Sequence, residues 1–141
     1  MDTWSAGGLS ATLLLMTHEE LVRVMWEAWS QGDFEALETA LTPEAQWRAV
    51  EDGPWNCRSR TQILQTMREN RALGRVPSGE IAEITDLGER TLVGFRPDRQ
   101  PMDGWPLDNG VRYMVLTFHG DLVGEMKGCA SRQVALDYAS A

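Results

Sequence analysis

The sequence predicts an α+β domain in which helices come first and a mostly antiparallel sheet follows. Up to Gly74 apolar residues recur mainly at helical spacing, with one strand signal among them, and beyond Ile81 the spacing becomes two. No strand–helix–strand alternation of the kind that builds a parallel sheet occurs. At 141 residues, 43% hydrophobic and 24% charged, the chain suits one ordinary globular domain with a buried core.

Residues 1–16 carry Asp2 and no Lys or Arg ahead of their apolar stretch, unlike a secretory peptide, and are read as a flexible N-terminal extension. A single domain then runs from 17 to 141. Thr17-His-Glu-Glu20 is a capping box: hydroxyl and carboxylate each satisfy the other residue's backbone donor. Leu21, Val22, Met25, Trp26 and Trp29 supply the apolar stripe of the helix it opens, which Gly32 ends. Asp33 caps a short second helix through Phe34, Leu37 and Leu41, limited by Pro43. Gln46–Val50 alternates as a strand, Glu51-Asp-Gly-Pro54 turns the chain, and a brief strand covers Trp55–Cys57. Ser59-Arg-Thr-Gln62 is a second capping box, opening a helix that buries Ile63, Leu64 and Met67. Two hairpins follow, Ile81–Leu87 with Thr91–Arg96 and Val111–Phe118 with Leu122–Lys127, turning at Gly88-Glu89 and Gly120-Asp121. A long proline-containing loop, Pro97–Gly110, joins them, and Ser131 caps a terminal helix.

Thirteen basic against 21 acidic residues leave a net charge of −8, which argues against a nucleic-acid phosphate track or an anionic membrane surface. The longest apolar run, Ala11–Met16, is too short to span a bilayer. Cys57 and Cys129 allow at most one disulfide, which fits a reducing, cytoplasmic setting. No metal-ligand spacing, glycine-rich phosphate loop or GxSxG elbow is present, so neither metal nor cofactor is expected.

Several segments, in order, resemble the nuclear transport factor 2-like superfamily, above all its polyketide cyclase (SnoaL-like) branch. They are Trp29-Ser-Gln-Gly-Asp-Phe-Glu-Ala-Leu37, Leu41-Thr-Pro-Glu-Ala-Gln-Trp47, Cys57-Arg-Ser-Arg-Thr-Gln-Ile-Leu64, Arg112–Val123 and Ser131–Leu136. The resemblance spans about residues 17 to 138. It implies a cone-shaped, strongly curved sheet wrapped around the N-terminal helices, an apolar pocket inside, and a homodimer through the outer sheet face. It does not imply one chemistry, since the superfamily includes isomerases, cyclases, epoxide hydrolases, dehydratases and non-catalytic binding domains.

Positions that carry acid–base chemistry in ketosteroid isomerase-like members fall on apolar residues here. The base position falls on Ala49, the tyrosine on Met25, and the oxyanion-holding carboxyl on Met114. The aspartate late in the final strand of cyclases and epoxide hydrolases falls on Gly128. Candidate bases are then Glu51 and Asp52, which reach the site if the strand register slips, with Glu125 and His119. Cys57, beside Arg58 at a helix entrance, reads either as an activated thiol or as a small buried residue.

Six tryptophans are unusual for this length. By alternation Trp47 shares a face with Ala49, and Trp29 lies one helical turn after Met25. A pocket of Met25, Trp29, Trp47, Ala49, Cys57, Met114 and Leu116, with Arg112 able to anchor an anion or pair with an acid, would suit a flat hydrophobic or aromatic small molecule. The same rings would also serve as plain core. The opposite alternation, Val111, Tyr113, Val115 and Thr117, supplies an outward row for a dimer. The expected function is a small-molecule-binding domain. The alternatives are a SnoaL-like cyclase or isomerase acting on a polycyclic or aromatic substrate, and a partner-binding module with a filled cone.

Overall fold

A computed structural model describes residues 16–99 and 105–141. The expected N-terminal extension lies outside the described residues except for Met16, which packs against the main core.

Local sequence signals account for the helices. In α1 (His18–Gln31) the Thr17 Oγ1 accepts the Glu20 N–H at 3.1 Å and the Glu20 carboxylate accepts the Thr17 N–H at 2.9 Å. Gly32 closes the helix in the left-handed region at φ 76°, and a Cβ there would stand 2.7 Å from Nε of Arg71. Asp33 caps α2 (Phe34–Ala40) by accepting the Ala36 N–H. Ser59 caps α3 (Arg60–Ala72), although Gln62 accepts from the Arg58 N–H rather than closing the box on Ser59.

The first strand, β1 (Leu41–Arg48), starts five residues before the expected Gln46 and takes in Pro43. It is an edge strand, where a residue without an N–H is tolerated, and its pairing shifts register between Leu41 and Gln46. The expected strand at Trp55–Cys57 reduces to a single bridge between Trp47 and Cys57. Then come β2 (Glu80–Asp86), β3 (Arg90–Arg96), β4 (Arg112–His119), β5 (Leu122–Cys129) and α4 (Arg132–Ser140). The sheet runs β1-β5-β4-β3-β2, parallel only between β1 and β5. Further register shifts at Ile81/Glu83 and Thr117/Phe118 are places where a strand bends.

Alternation divides the sheet into two faces. Val93, Phe95, Met114, Leu116, Phe118, Val123 and Met126 meet α1, α2 and α3 in the main core. Leu92, Val111, Tyr113, Val115 and Cys129 lie on the other face beneath Ala135 and Ala139 of α4. Of the row expected to face a second copy, Val111, Tyr113 and Val115 are thus buried in one cluster with the chain's own terminal helix. Among the described residues no helix is long and apolar enough to cross a membrane.

Candidate functional site

The inner face of the sheet is not sealed by its helices. Between α1, the far end of α3 and the ends of β1, β3 and β4 lies a cavity of ≈ 760 Å³, within the range of drug-sized ligand pockets. Its wall is a chain of aromatic rings. Trp26 stacks on Phe95 with centroids 4.7 Å apart, and Trp29 meets Trp26 edge-on at 6.0 Å. Trp29 also meets Trp47 edge-on at 5.8 Å. Offset and edge-to-face contacts of this kind are the favoured arrangements of aromatic pairs, and they hold the rings as a fixed surface. All three indoles are half-buried and line the cavity.

The segment after β1 is pinned where it borders this space. Lys127 Nζ donates to the carbonyls of Ala49 (2.6 Å) and Val50 (3.0 Å), and the Ala49 N–H donates to Asn56 Oδ1 at 2.9 Å. Cys57 exchanges backbone hydrogen bonds with Trp47, and its buried thiol lies 3.4 Å from Thr66 Oγ1. Trp55 lies at the rim, 61% exposed, with its indole N–H donating to the Glu51 carbonyl. The far side is closed by Trp105, whose Nε1 donates to the Cys129 carbonyl at 3.2 Å and whose ring carries the Arg112 guanidinium at 4.2 Å.

The expected pocket residues divide. Trp29, Trp47, Ala49, Cys57 and Arg112 line the cavity, whereas Met25, Met114 and Leu116 are buried in the main core. On α1 the cavity-lining pair is Trp26 with Trp29, three residues apart, and Met25 turns inward beside Leu21 and Val22. Trp26, Phe95 and Trp105 were missed. Phe95 sits opposite Arg112 in the β3–β4 register, a pairing that spacing within one strand does not reveal. Trp105 arrives from a loop.

The candidate bases are not gathered at the cavity. Glu51 alone lines it, at the exposed rim. Asp52 receives Arg48 Nε at 3.2 Å and Nη2 at 2.9 Å, and also Asn56; those hydrogen bonds, Arg48's foremost, hold its carboxyl below the usual range. Glu125 projects to the α4 face, since it alternates with inward Met126, and there it accepts from Tyr138 OH, Arg48 and Thr117. His119 is exposed at the β4–β5 turn with its ring over Gly124. His18 is half-buried and stacked on Phe118 at 3.8 Å. Among the described residues no group of three or more His, Cys, Asp or Glu side chains could hold a metal.

No protein-family model matches the sequence, and no curated protein matches it. Solved structures do. A candidate polyketide cyclase of Sinorhizobium meliloti superposes at TM-score 0.62 and 19% identity, over 77% of this chain and 93% of that one. An LEH-like epoxide hydrolase of M. tuberculosis does so at 0.63 and 14%, over 92% and 90%. A Catenulispora acidiphila protein with a ketosteroid isomerase-like fold, in complex with trimethylamine, does so at 0.56 and 15%, over 88% and 95%. The chain has the nuclear transport factor 2-like fold. At these identities the likeness concerns the fold, and within it the positions that the sequence resemblance assigns to chemistry are occupied by other groups. Met25 and Met114 are core, Ala49 is wall, and the space beside Gly128 is filled by an indole: a Cβ there would stand 3.1 Å from the Trp105 ring.

Proposed function

We propose that this protein binds a flat hydrophobic or aromatic small molecule in the tryptophan-walled cavity. The observation that carries the reading is the open space itself, ≈ 760 Å³ bounded by the Phe95–Trp26–Trp29–Trp47 ring chain, where a filled core would leave none. Ring faces fixed by their neighbours bury and stack a planar ligand at little ordering cost. The complex of a similarly folded protein with trimethylamine supports small-molecule binding in this architecture. Two free, buried cysteines support a reducing compartment, and we place the protein in the cytoplasm.

The test is tryptophan emission with thermal shift across steroids, aromatic polyketides, terpene epoxides and fatty acids. Saturable quenching and a raised Tm are expected for the planar polycyclic members. Trp47→Ala should weaken that binding by about tenfold or more. A panel with no saturable response, or binding indifferent to Trp47, refutes the reading.

One observation favours a second reading, cyclase- or isomerase-type turnover of the same ligand class: Glu51 alone among the candidate bases lines the cavity. Under that reading Glu51→Gln abolishes turnover and leaves ligand affinity intact.

A further inference from the structure

One tryptophan stands apart from the ring chain. Of the four large apolar side chains exposed among the described residues, Trp55, Leu73, Leu87 and Val134, it is the one that lines the cavity. Trp26, Trp29 and Trp47 are fixed by contacts with other rings, whereas the Trp55 ring meets no other aromatic ring among the described residues.

The chain around Trp55 holds it in place all the same. Its indole N–H donates to the Glu51 carbonyl at 2.9 Å. Gly53 leaves the space against which the ring lies, since a Cβ there would stand 2.3–2.5 Å from three atoms of the indole. Asn56 ties the turn together. Its N–H donates to the Gly53 carbonyl at 3.0 Å, and its carboxamide accepts from the Ala49 N–H and donates to the Asp52 carboxylate. Pro54 fixes one further backbone dihedral. Ordering a bulky side chain costs conformational entropy, and a ring left 61% exposed offsets little of that cost by burial. The apolar contact still open to it is with whatever occupies the cavity it lines.

We propose that Trp55 is the ligand-contacting residue at the cavity mouth: its indole, placed in advance by Gly53 and the Glu51 carbonyl, covers the outer part of a planar ligand whose inner part lies among Trp29 and Trp47. The proposal rests on the binding reading above and adds to it the residue that shields the ligand from water. A ring ordered before binding supplies contact area with no loop left to order when the ligand arrives.

Fluorine NMR on the full chain labelled with 5-fluorotryptophan separates this proposal from the reading beneath it. Each of the six tryptophans then carries its own reporter. The Trp29, Trp47 and Trp55 resonances are assigned by their loss in the three phenylalanine variants, and the isotope shift between H2O and D2O reads the exposure of each ring. The probe is 9-phenanthrol, planar, tricyclic and neutral. Saturation should move all three resonances and diminish the isotope shift of Trp55. In isothermal titration calorimetry Trp55→Ala should weaken binding by about tenfold, and Trp55→Phe by about threefold or less. Gly53→Ala keeps the indole and displaces it, so it should weaken binding about as much as Trp55→Ala; Gly53 lies outside the left-handed region, where alanine is tolerated. Because the ring is exposed, each variant should keep its Tm within about 2 °C of the wild type, which shows that lost affinity is not lost fold. Phenanthrol that moves Trp29 and Trp47 and leaves Trp55 exposed overturns the proposal with the cavity reading left standing, as does equal affinity for Trp55→Ala and the wild type. Undiminished binding by Gly53→Ala overturns the role given to Gly53. A response at Trp55 alone, or no binding, overturns the cavity reading, and this proposal falls with it.

Discussion

Replacing Gly128 with alanine probes the contact by which a loop tryptophan closes the cavity. A Cβ at this position would lie 3.1 Å from Cζ2 and 3.3 Å from Cη2 of Trp105, and 3.3 Å from the Val50 nitrogen. Carbon–carbon contacts are most favourable at about 3.5–4.0 Å, so the ring must retreat by several tenths of an ångström. It is held against doing so by its hydrogen bond to the Cys129 carbonyl and by the Arg112 stack. Overpacking of this kind costs about 1–3 kcal/mol. Gly128 lies in strand β5, outside the left-handed region, so alanine returns about 0.4–1 kcal/mol by restricting the unfolded chain. The balance is a loss of about 1 kcal/mol, or a fall in Tm of about 3–5 °C for a chain of this size. Urea denaturation of the wild type, Gly128→Ala, Trp105→Ala and the double variant forms a cycle that isolates the pair. With the indole gone only the Val50 amide opposes the new methyl, so the alanine should become nearly neutral. An alanine that costs nothing in the wild type refutes the reasoning, and so does one that costs the same with Trp105 removed.

Three further outcomes are expected. Tyr138→Phe removes the hydroxyl that donates to Glu125 under α4 and should cost about 1 kcal/mol in urea denaturation. Burial first, and then the Glu125 hydrogen bond, raise the Tyr138 pKa above its ordinary 10.0. Its contribution is therefore complete below pH 10 and lost as pH rises through the folded value, and the phenylalanine variant should show a shallower alkaline decline. The Glu83 carboxyl is held below its ordinary 4.5 chiefly by the Arg132 hydrogen bonds at 2.7 and 2.8 Å. That contribution is present above 4.5 and lost as pH falls through the folded value, so Glu83→Gln should flatten the acid limb of a stability–pH profile. Under native conditions a thiol reagent should modify Cys57, at the cavity, before Cys129, whose thiol burial pushes up, and a planar polycyclic ligand bound in the cavity should slow the first reaction; equal rates would argue against an open cavity.

Helix starts and hairpins were legible because their signals are local. Thr17 with Glu20, Gly32, Asp33 and Ser131 act within a few residues of where they stand, and each does so in the structure. The two faces of β4 were legible for the same reason, since alternation alone separates Tyr113 and Val115 from Met114 and Leu116. What covers a face was not legible. Nothing within Val111–Thr117 says whether α4 or a second chain lies on it, because that depends on the chain's return after Ser131. The start of β1 was misjudged because Pro43 reads as a breaker, and only its place at the sheet edge makes it a strand residue.

The site was legible in composition and not in membership, and the difference has a physical origin. Tryptophans in the cone-forming elements point to an aromatic interior, but which ring faces open space depends on helix rotation and cross-strand register. One residue of rotation on α1 exchanges Met25 for Trp26, and one register position brings Phe95 opposite Arg112. Polar residues follow a harsher rule, because a charge near the core is stable only with a partner. Asp52 has Arg48 and Asn56, and Glu125 has Tyr138 and Arg48, so the acids nearest the cavity in sequence are engaged away from it. Among the described residues, the aromatic wall, the Cys57 thiol and the exposed Glu51 carboxylate stay at the cavity. An aromatic wall of this kind suits the planar apolar ligand proposed above, and the Glu51 variant tests whether turnover accompanies binding.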